Sequence, residues 1–265
     1  MRIVNLGQVC LALGMMGLGA LSLIYHDFTL QWQPVPDWVG ARQILATISG
    51  AILFAGGLGL LFRASGAIAA LVLTLFLLSW VVLLKLPLAA AKPLEAVSWL
   101  GVGEDLAMTC GLWSVFAAVA PPGQGFDIGF LTSAGGLRVA RILFGICCLV
   151  FGWAHFVYAD FTAHMIPDWL PAHLPLAYIT GAGHVGAGLA LISGILPRLA
   201  ATLEGLMMAI FVVVVHFPLL PPPHIQLNWT LLFVAISLTG SAFSIAWTVR
   251  DQPWGPKATA VSKPT

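Results

Sequence analysis

Long apolar stretches without charged residues dominate this chain. They lie between Arg2 and Asp27, Arg42 and Arg63, Arg63 and Lys85, Asp105 and Asp127, Arg141 and Asp160, and Asp168 and Arg198. A bilayer core of about 30 Å is crossed by roughly 20 apolar residues in an α-helix, so each stretch is long enough for one helix. The stretch from Glu204 to Arg250 is about twice that length and is interrupted by prolines, which predicts two helices there. The pattern therefore predicts eight transmembrane helices, at 3–25, 41–62, 66–86, 97–119, 138–159, 173–193, 199–217 and 227–248.

The composition supports this interpretation. Of the 265 residues, 60% are hydrophobic and 8% are charged, and the mean hydropathy is +0.98. Soluble domains carry roughly 25% charged residues, so the chain is predicted to be an all-α polytopic membrane protein that contacts the lipid bilayer. A formal net charge of +1 argues against a nucleic-acid partner. The four cysteines lie in apolar runs without a C-x-x-C pair, which indicates neither a disulfide framework nor a dithiol site.

Cationic residues predict the orientation of the chain. With the N-terminus in the cytoplasm, the cytoplasmic side receives Arg2, Arg63, Arg138, Arg141, Arg198, Arg250, Lys257 and Lys263, whereas the outer side receives Arg42, Lys85 and Lys92. Because Lys and Arg favour the cytoplasmic side, both termini are predicted to be cytoplasmic in a protein of the cell inner membrane. The short polar segment 251–265 is predicted to be a disordered tail.

The two halves of the chain resemble each other. Tyr25-His-Asp27-Phe28 recurs as Tyr158-Ala-Asp160-Phe161, at an offset of 133, and Pro36-Asp37-Trp38 recurs as Pro167-Asp168-Trp169, at an offset of 131. One small deletion in the first outer loop reconciles the two offsets. An even number of helices in each half predicts two repeats of the same orientation, related by an axis along the membrane normal. The predicted domains are a four-helix repeat at 1–120, a cytoplasmic linker at 121–136 and a second four-helix repeat at 137–250.

Small residues predict where helices approach closely. Small side chains recur every four residues on the second helix and on the sixth, which predicts tight packing along these faces. The residues concerned are Ala51, Ala55 and Gly59, and Ala182, Gly186 and Ala190. On the fifth helix an inward face is predicted, formed by Gly145, Cys148, Gly152, His155 and Ala159.

Two loop and helix motifs of the second half carry a family resemblance. The block His164-Met-Ile-Pro167-Asp-Trp169-Leu-Pro171-Ala-His173, followed by Tyr178-Ile-Thr-Gly181-Ala-Gly183-His184, resembles the DoxX/DoxD-like family of small membrane proteins. Members of that family are four-helix units, so the chain resembles a tandem duplication of one unit over residues 1 to 250. The family takes its name from a thiosulfate:quinone oxidoreductase subunit. The resemblance therefore implies a link to redox complexes, and it transfers no catalytic residue.

Burying an ionisable side chain within the membrane costs free energy, so each such residue calls for a structural or functional explanation. His155 and His216 lie near the outer ends of the fifth and seventh helices, and His184 lies deeper in the sixth. If these helices are adjacent, the three rings converge in a pocket open to the outer face. Gly181 and Gly188 flank His184 on its helical face and leave room for a ligand or for a neighbouring helix. A packed bundle in which each histidine bonds a carbonyl or hydroxyl is the alternative.

Other polar residues complete the candidate pocket. Glu104 is predicted to be a proton relay or a partner of Lys85 or a histidine, unless the fourth helix begins a turn earlier and Glu104 and Asp105 are interfacial. Tyr158 and Asp160 extend the polar outer rim. Glu204 is predicted to neutralise an arginine at the cytoplasmic edge, namely Arg138, Arg141 or Arg198.

Two functions from different classes fit these residues. The first is a redox-linked subunit of a membrane oxidoreductase that interacts with quinone, with haem or a metal as weaker alternatives for the cofactor and no metal site assigned. The second is a non-catalytic scaffold or accessory protein that binds another membrane or periplasmic protein, such as a redox protein. A solute or lipid transporter is a weaker third hypothesis, because the halves show no matching pair of interrupted helices at midplane.

Overall fold

Eight long helices build the described part of the protein. The computed structural model describes residues 5–29, 31–120, 128–222 and 225–255, and these residues contain helices and no strand. The helices are α1 (Leu6–Tyr25), α2 (Arg42–Leu60), α3 (Gly66–Ala91), α4 (Ala96–Val119), α5 (Ala134–Val157), α6 (His173–Ser193), α7 (Pro197–Leu219) and α8 (Gln226–Thr248). Within the described residues these eight are long and apolar enough to cross a membrane. The chain is therefore a multi-pass all-α membrane protein, as predicted.

Local signals explain where the helices begin and end. The side chain of Asn5 accepts a hydrogen bond from the Gln8 amide at 2.9 Å and caps α1. Ser133 caps α5 in the same way, so this helix begins one turn before its predicted start at residue 138. Gly194, with a φ of 77°, ends α6 in the left-handed conformation that glycine adopts without strain. Two short helices, Gly129–Thr132 and Ala159–His164, were not predicted.

The helix ends define two sides of the bundle. We call the side with residues 61–65, 194–196 and 249–255 the terminal side, and the side with 26–29, 31–41, 92–95 and 158–172 the loop side. Trp38 and Trp169 are exposed on the loop side, as is typical of indoles at a membrane interface. The predicted linker residues 121–127, the tail from residue 256 and Arg2 lie outside the described residues.

Equivalent helices of the two halves pack in equivalent ways. In the first half α1 packs on α2, α2 on α3 and α3 on α4; in the second half α5 packs on α6, α6 on α7 and α7 on α8. Between the halves α1 packs on α8 and α4 on α5, and α4 also contacts α8. Each half is thus a bundle of successive helices, and the two bundles meet through their first and last members.

Both halves carry a π-helical turn at the same place. It spans Val81–Lys85 in α3 and Val212–His216 in α7, and the two first residues are 131 positions apart. In each helix a proline, Pro87 or Pro218, follows the turn by two residues. A π-helical turn shifts hydrogen bonds from i→i+4 to i→i+5, and such turns are frequent at functional sites.

Glycines bring α5 against α6 and α1 against α2. A Cβ atom at Gly188 would lie 2.6 Å from the Gly145 carbonyl oxygen, and one at Gly50 would lie 3.0 Å from the Gly19 carbonyl oxygen. The predicted ladder on α2 and α6 is only in part a packing face: Ala51, Ala55, Ala182 and Gly186 are exposed, whereas a Cβ atom at Gly59 would lie 2.9 Å from the Ala69 side chain on α3. The contacts of α2 with α1 and of α6 with α5 use the other small face, which carries Gly50, Gly57, Gly181 and Gly188. In a membrane the exposed small face adjoins lipid.

Candidate functional site: a buried histidine and glutamate pair

Two of the three predicted histidines come together. The rings of His155 on α5 and His184 on α6 have centroids 4.8 Å apart. A Cβ atom at Gly181 would lie 2.9 Å from the Cβ of His155, so the missing side chain is what lets α5 approach. The room beside His184 is therefore filled by a neighbouring helix at this point, one of the two alternatives that the sequence left open.

The partner of His184 is Glu204, which was predicted to lie at the cytoplasmic edge of the membrane. His184 Nδ1 shares a hydrogen bond of 2.8 Å with Glu204 Oε1, and the two side chains are 2% and 1% exposed. The prediction that Glu204 neutralises Arg138, Arg141 or Arg198 is wrong, because no ion pair joins it to an arginine within the described residues. Glu204 faces inward on α7, where it neighbours the buried residues Ala201 and Met208.

A helical signal could have located Glu204. Ala201, Glu204, Gly205 and Met208 recur at spacings of three and four along α7, and all four are buried. Such spacing places side chains on one face of a helix. A carboxylate within a stripe of small and apolar residues therefore indicates burial against a neighbouring helix, and not a position at the membrane edge.

Aromatic rings enclose the pair. Phe151 and Phe211 lie against His184 with ring centroids at 5.7 Å and 6.1 Å. The His155 ring stacks on Phe211, at 6.2 Å between centroids. His155 Nδ1 lies 2.8 Å from the Phe151 carbonyl oxygen; since a carbonyl only accepts, Nδ1 carries the hydrogen and Nε2 is the free acceptor. Hence the His155 ring has a fixed tautomer and lies between the Phe211 ring and the imidazole of His184.

One oxygen of Glu204 has no partner. Glu204 Oε2 is buried and makes no hydrogen bond within the described residues. An uncompensated buried carboxylate oxygen is unfavourable, and such atoms call for a specific explanation. A bound hydrogen-bond donor or a proton on the carboxyl group would satisfy it.

An apolar groove between α6 and α7 reaches Glu204. It has a volume of about 370 Å³, and its walls are mainly small and aliphatic. The wall includes Gly183, Gly186, Ala190, Leu199, Leu203, Glu204 and Met207. Gly186 and Leu203 are exposed on the outer surface of the bundle, so in a membrane the groove opens toward lipid. Glu204 is the one ionisable residue in this wall.

Other predicted pocket residues lie apart from the pair. No ring contact between His216 and the other two histidines is recorded in the described structure, and its buried Nδ1 has no hydrogen-bond partner there. The Tyr158 hydroxyl accepts a hydrogen bond from the Val97 amide at 3.3 Å and ties α4 to α5 on the loop side. Asp160 is exposed in the short helix that follows α5.

The predicted residue Glu104 belongs to a separate polar cluster of the first half. Glu104 and Asp105 lie within electrostatic range of the buried residue Lys85, which ends the π-helical turn of α3, but no ion pair or hydrogen bond joins them to Lys85 within the described residues. Asp105 is the more buried of the two carboxylates, at 1% exposure. The prediction that Glu104 is the inward-facing residue is therefore wrong. Asp105 Oδ1 and the indole nitrogen of Trp32 are buried without hydrogen-bond partners within the described residues.

The geometry sets what the His184 and Glu204 pair can do. Whether the shared proton sits on the imidazole or on the carboxyl group, the pair has zero net charge, which lowers the cost of burial in a membrane. The pair can hold one proton, and Glu204 can accept a further hydrogen bond from a ligand. In the described residues no group of three or more His, Cys, Asp or Glu side chains is placed to hold a metal ion.

Comparison with known proteins identifies the region that carries the site. Residues 136–217 match the sequence model of the DoxX family. Neither a curated protein nor a solved structure matches the chain. The matched region contains α6 and nearly all of α5 and α7, and therefore His155, His184 and Glu204. Residues 136 to 217 of this multi-pass membrane protein are thus similar to the DoxX family.

Proposed function

We propose that the protein binds a quinone-type molecule from the lipid phase, as part of a redox-linked membrane complex. The observation that carries the proposal is the buried carboxylate of Glu204, which pairs with His184 through one oxygen, leaves the other unpartnered and lies in the wall of an apolar groove. An apolar ligand with one polar head fits this arrangement, because ligand pockets combine an apolar wall with few polar groups.

The chemistry of a quinol matches the free carboxylate oxygen. A quinol hydroxyl donates a hydrogen bond, which the Glu204 carboxylate accepts, whereas a quinone carbonyl accepts one from the protonated carboxyl group. Oxidation of a quinol to a quinone releases two protons and two electrons. In this proposal the His184 and Glu204 pair first releases its shared proton to solvent and then takes the first quinol proton in its place, and both electrons pass to a metal or flavin centre of a partner protein, which is the oxidant. The second proton leaves with solvent on the partner's side.

The family resemblance supports the same direction. The region that matches DoxX contains His155, His184 and the Glu204 carboxylate, and the resemblance to this family implies a link to quinone-dependent redox complexes. The orientation of the site in the cell follows from the unequal distribution of Lys and Arg: we propose cytoplasmic termini and an inner-membrane location.

We also propose that the two halves are copies of one four-helix unit. Three features support a duplication: the recurring loop motifs, the equivalent helix packing and the π-helical turns 131 residues apart. Under this alignment His184 corresponds to Leu53 and Glu204 to Leu73, both fully buried. The polar pair therefore belongs to the second copy, and the first copy has an apolar pair in its place.

Quinone binding to purified protein tests the proposed function. Decylubiquinone and its quinol are titrated into detergent-solubilised protein and binding is followed by tryptophan fluorescence. Glu204→Leu is expected to weaken quinol binding about tenfold or more, the loss for one hydrogen bond to a charged group. Gly186→Leu, which fills the groove, is expected to abolish binding of both forms. Ala55→Leu, at the corresponding exposed position of α2, is the control and retains binding.

The outcome also separates the two functional classes. Absence of bound quinone in the purified protein, together with no binding of either form, overturns the proposal. If crosslinking then recovers a membrane or periplasmic partner, and alanine at His155 and His184 leaves that complex intact, the protein is a scaffold. A visible absorbance band that disappears in His184→Ala would instead identify a haem or metal centre.

A further inference from the structure

A polar recess on the terminal side contains two unpaired arginines. It has a volume of about 490 Å³ and lies between the first turns of α5, the last turn of α6 and the segment after α8. Arg138 and Arg141 line it together with Ser193, Gly194 and Gln252, and among the described residues its wall contains no carboxylate. The recess is separate from the groove at Glu204, since the two share no lining residue.

Neither guanidinium has a partner within the described residues. No hydrogen bond or ion pair joins Arg138 or Arg141 to another described residue, and the Nε atom of Arg141 is buried without an acceptor. The two arginines are three positions apart on one helix face, and their like charges act on each other. The unpaired N–H donor of Arg141 and the repulsion between the two guanidinium groups both favour an anion bound between the two side chains.

Two other arginines on this side, Arg198 and Arg250, are already engaged. Arg198 stacks on the Trp254 ring at 3.9 Å, and Arg250 stacks on Trp247 at 4.6 Å. Arg250 also donates a hydrogen bond to the Trp247 carbonyl oxygen at 3.1 Å. Arg138 and Arg141 therefore differ from Arg198 and Arg250 in having no described group to pair with, and Arg141 in addition has a buried donor without an acceptor.

The end of α6 leaves space beside Arg141. A Cβ atom at Gly194 would lie 3.3 Å from Arg141 Nη2, so a larger residue here would press on the guanidinium. The glycine thus keeps the donors of Arg141 open toward the recess. Because α5 begins at this level, the recess lies at the edge of the membrane-spanning region, where lipid headgroups are found.

We propose that this recess binds a phosphate group, supplied by the headgroup of an anionic lipid. Guanidinium groups match the geometry of phosphate oxygens through paired hydrogen bonds, and basic pockets between membrane helices bind anionic headgroups. The Ser193 hydroxyl and the amide side chain of Gln252 lie in the same wall and are polar neighbours for the headgroup.

Native mass spectrometry of the full chain with phosphatidylglycerol or phosphatidylcholine tests this. The native protein is expected to retain phosphatidylglycerol preferentially. Arg138→Gln/Arg141→Gln is expected to lower the affinity for phosphatidylglycerol about thirtyfold, and Arg138→Gln alone, at an exposed position, about fivefold. The matched control Arg250→Gln removes a cation on the same side that is already engaged, and is expected to change the affinity less than twofold.

These measurements distinguish a lipid headgroup from free phosphate as the ligand. Two outcomes would overturn the proposal. If the native protein shows no lipid selectivity, but inorganic phosphate protects it and not the double variant against thermal unfolding, the ligand is the free ion. Equal retention of both lipids by the native protein, with no effect of phosphate, overturns the proposal. So does an Arg250→Gln loss as large as that of Arg138→Gln, because that result reflects surface charge alone. Circular dichroism verifies the fold of each variant.

Discussion

Glu204 meets His184 through a single oxygen: Oε1 lies 2.8 Å from His184 Nδ1, and Oε2 has no partner among the described residues. The pair joins α6 and α7, two helices that otherwise meet across an open groove. The interaction therefore has two consequences, one for ligand binding and one for the stability of the second bundle.

Removing one member of this pair is expected to destabilise the protein. Glu204→Leu leaves a buried imidazole without its partner, and breaking a buried pair costs about 3 to 5 kcal/mol. His184→Leu/Glu204→Leu replaces both members and is expected to recover most of that loss. The free energy of unfolding is measured by SDS titration in mixed micelles. A single variant as stable as the native protein would contradict this expectation; exposed Leu206→Ala serves as the control.

Close packing of α5 on α6 predicts contrasting effects at two glycines of α6. Gly188→Ala places a Cβ atom 2.6 Å from the Gly145 carbonyl oxygen, so α5 has to move, at a cost of about 1 to 3 kcal/mol. Gly186→Ala meets no atom within 4 Å and is expected to be neutral in stability. Unfolding of both variants under the same conditions gives the comparison. Equal stability of the two would show that the α5 and α6 contact is not tight at Gly188.

The buried ammonium of Lys85 is expected to matter more than an exposed one. Lys85→Met removes the cation that acts on Glu104 and Asp105, and a loss above about 1 kcal/mol, larger than for an exposed ion pair, is expected. Lys92→Met breaks the exposed pair with Glu95, 3.1 Å apart, and should cost less than about 1 kcal/mol. The unfolding free energies of the two variants are compared directly.

A double variant isolates the coupling of Lys85 with Asp105. If the two groups interact strongly, the cost of Lys85→Met/Asp105→Asn is smaller than the sum of the two single costs, by about 1 kcal/mol or more. Strict additivity would mean that Lys85 is compensated by another group.

Labelling of introduced cysteines tests the proposed orientation. Trp38→Cys and Trp169→Cys, one in each half, are expected to react with an impermeant maleimide in intact cells. Ile195→Cys, exposed on the terminal side, is expected to react only after the membrane is permeabilised. If Trp38→Cys and Trp169→Cys react from opposite sides, the two halves are inverted and the proposed parallel repeat is excluded.

The helices were predictable because the bilayer imposes a length on each apolar run. All eight predicted spans correspond to helices, and α6 has the predicted bounds, His173–Ser193. The inward face of α5 was predicted correctly for Gly145, Cys148 and Gly152, which are buried, whereas His155 is half-buried and Ala159 lies beyond the end of α5. Such features follow from hydrophobicity and helical periodicity, which act within one segment of the chain.

Pairings between helices were not predictable in the same way. Glu204 was predicted to pair with arginines at a similar depth in the membrane, whereas in the structure it pairs with His184 on the adjacent helix. Glu104 and Asp105 are adjacent in sequence, so their side chains point about 100° apart around α4. Which of the two is buried depends on how α4 is rotated relative to α3. The small residues of α2 form two faces, and only the position of α1 tells which one is in contact.

The π-helical turns at Val81–Lys85 and Val212–His216 bear on the history of the chain. Such a turn accommodates one residue more than the α-helical turn that it replaces. If the halves descend from one ancestral unit, the extra amino acid was already present before the gene was copied. The later divergence then consisted of substitutions, among them Lys85 in one copy and His216 in the other, on a backbone irregularity that both inherited.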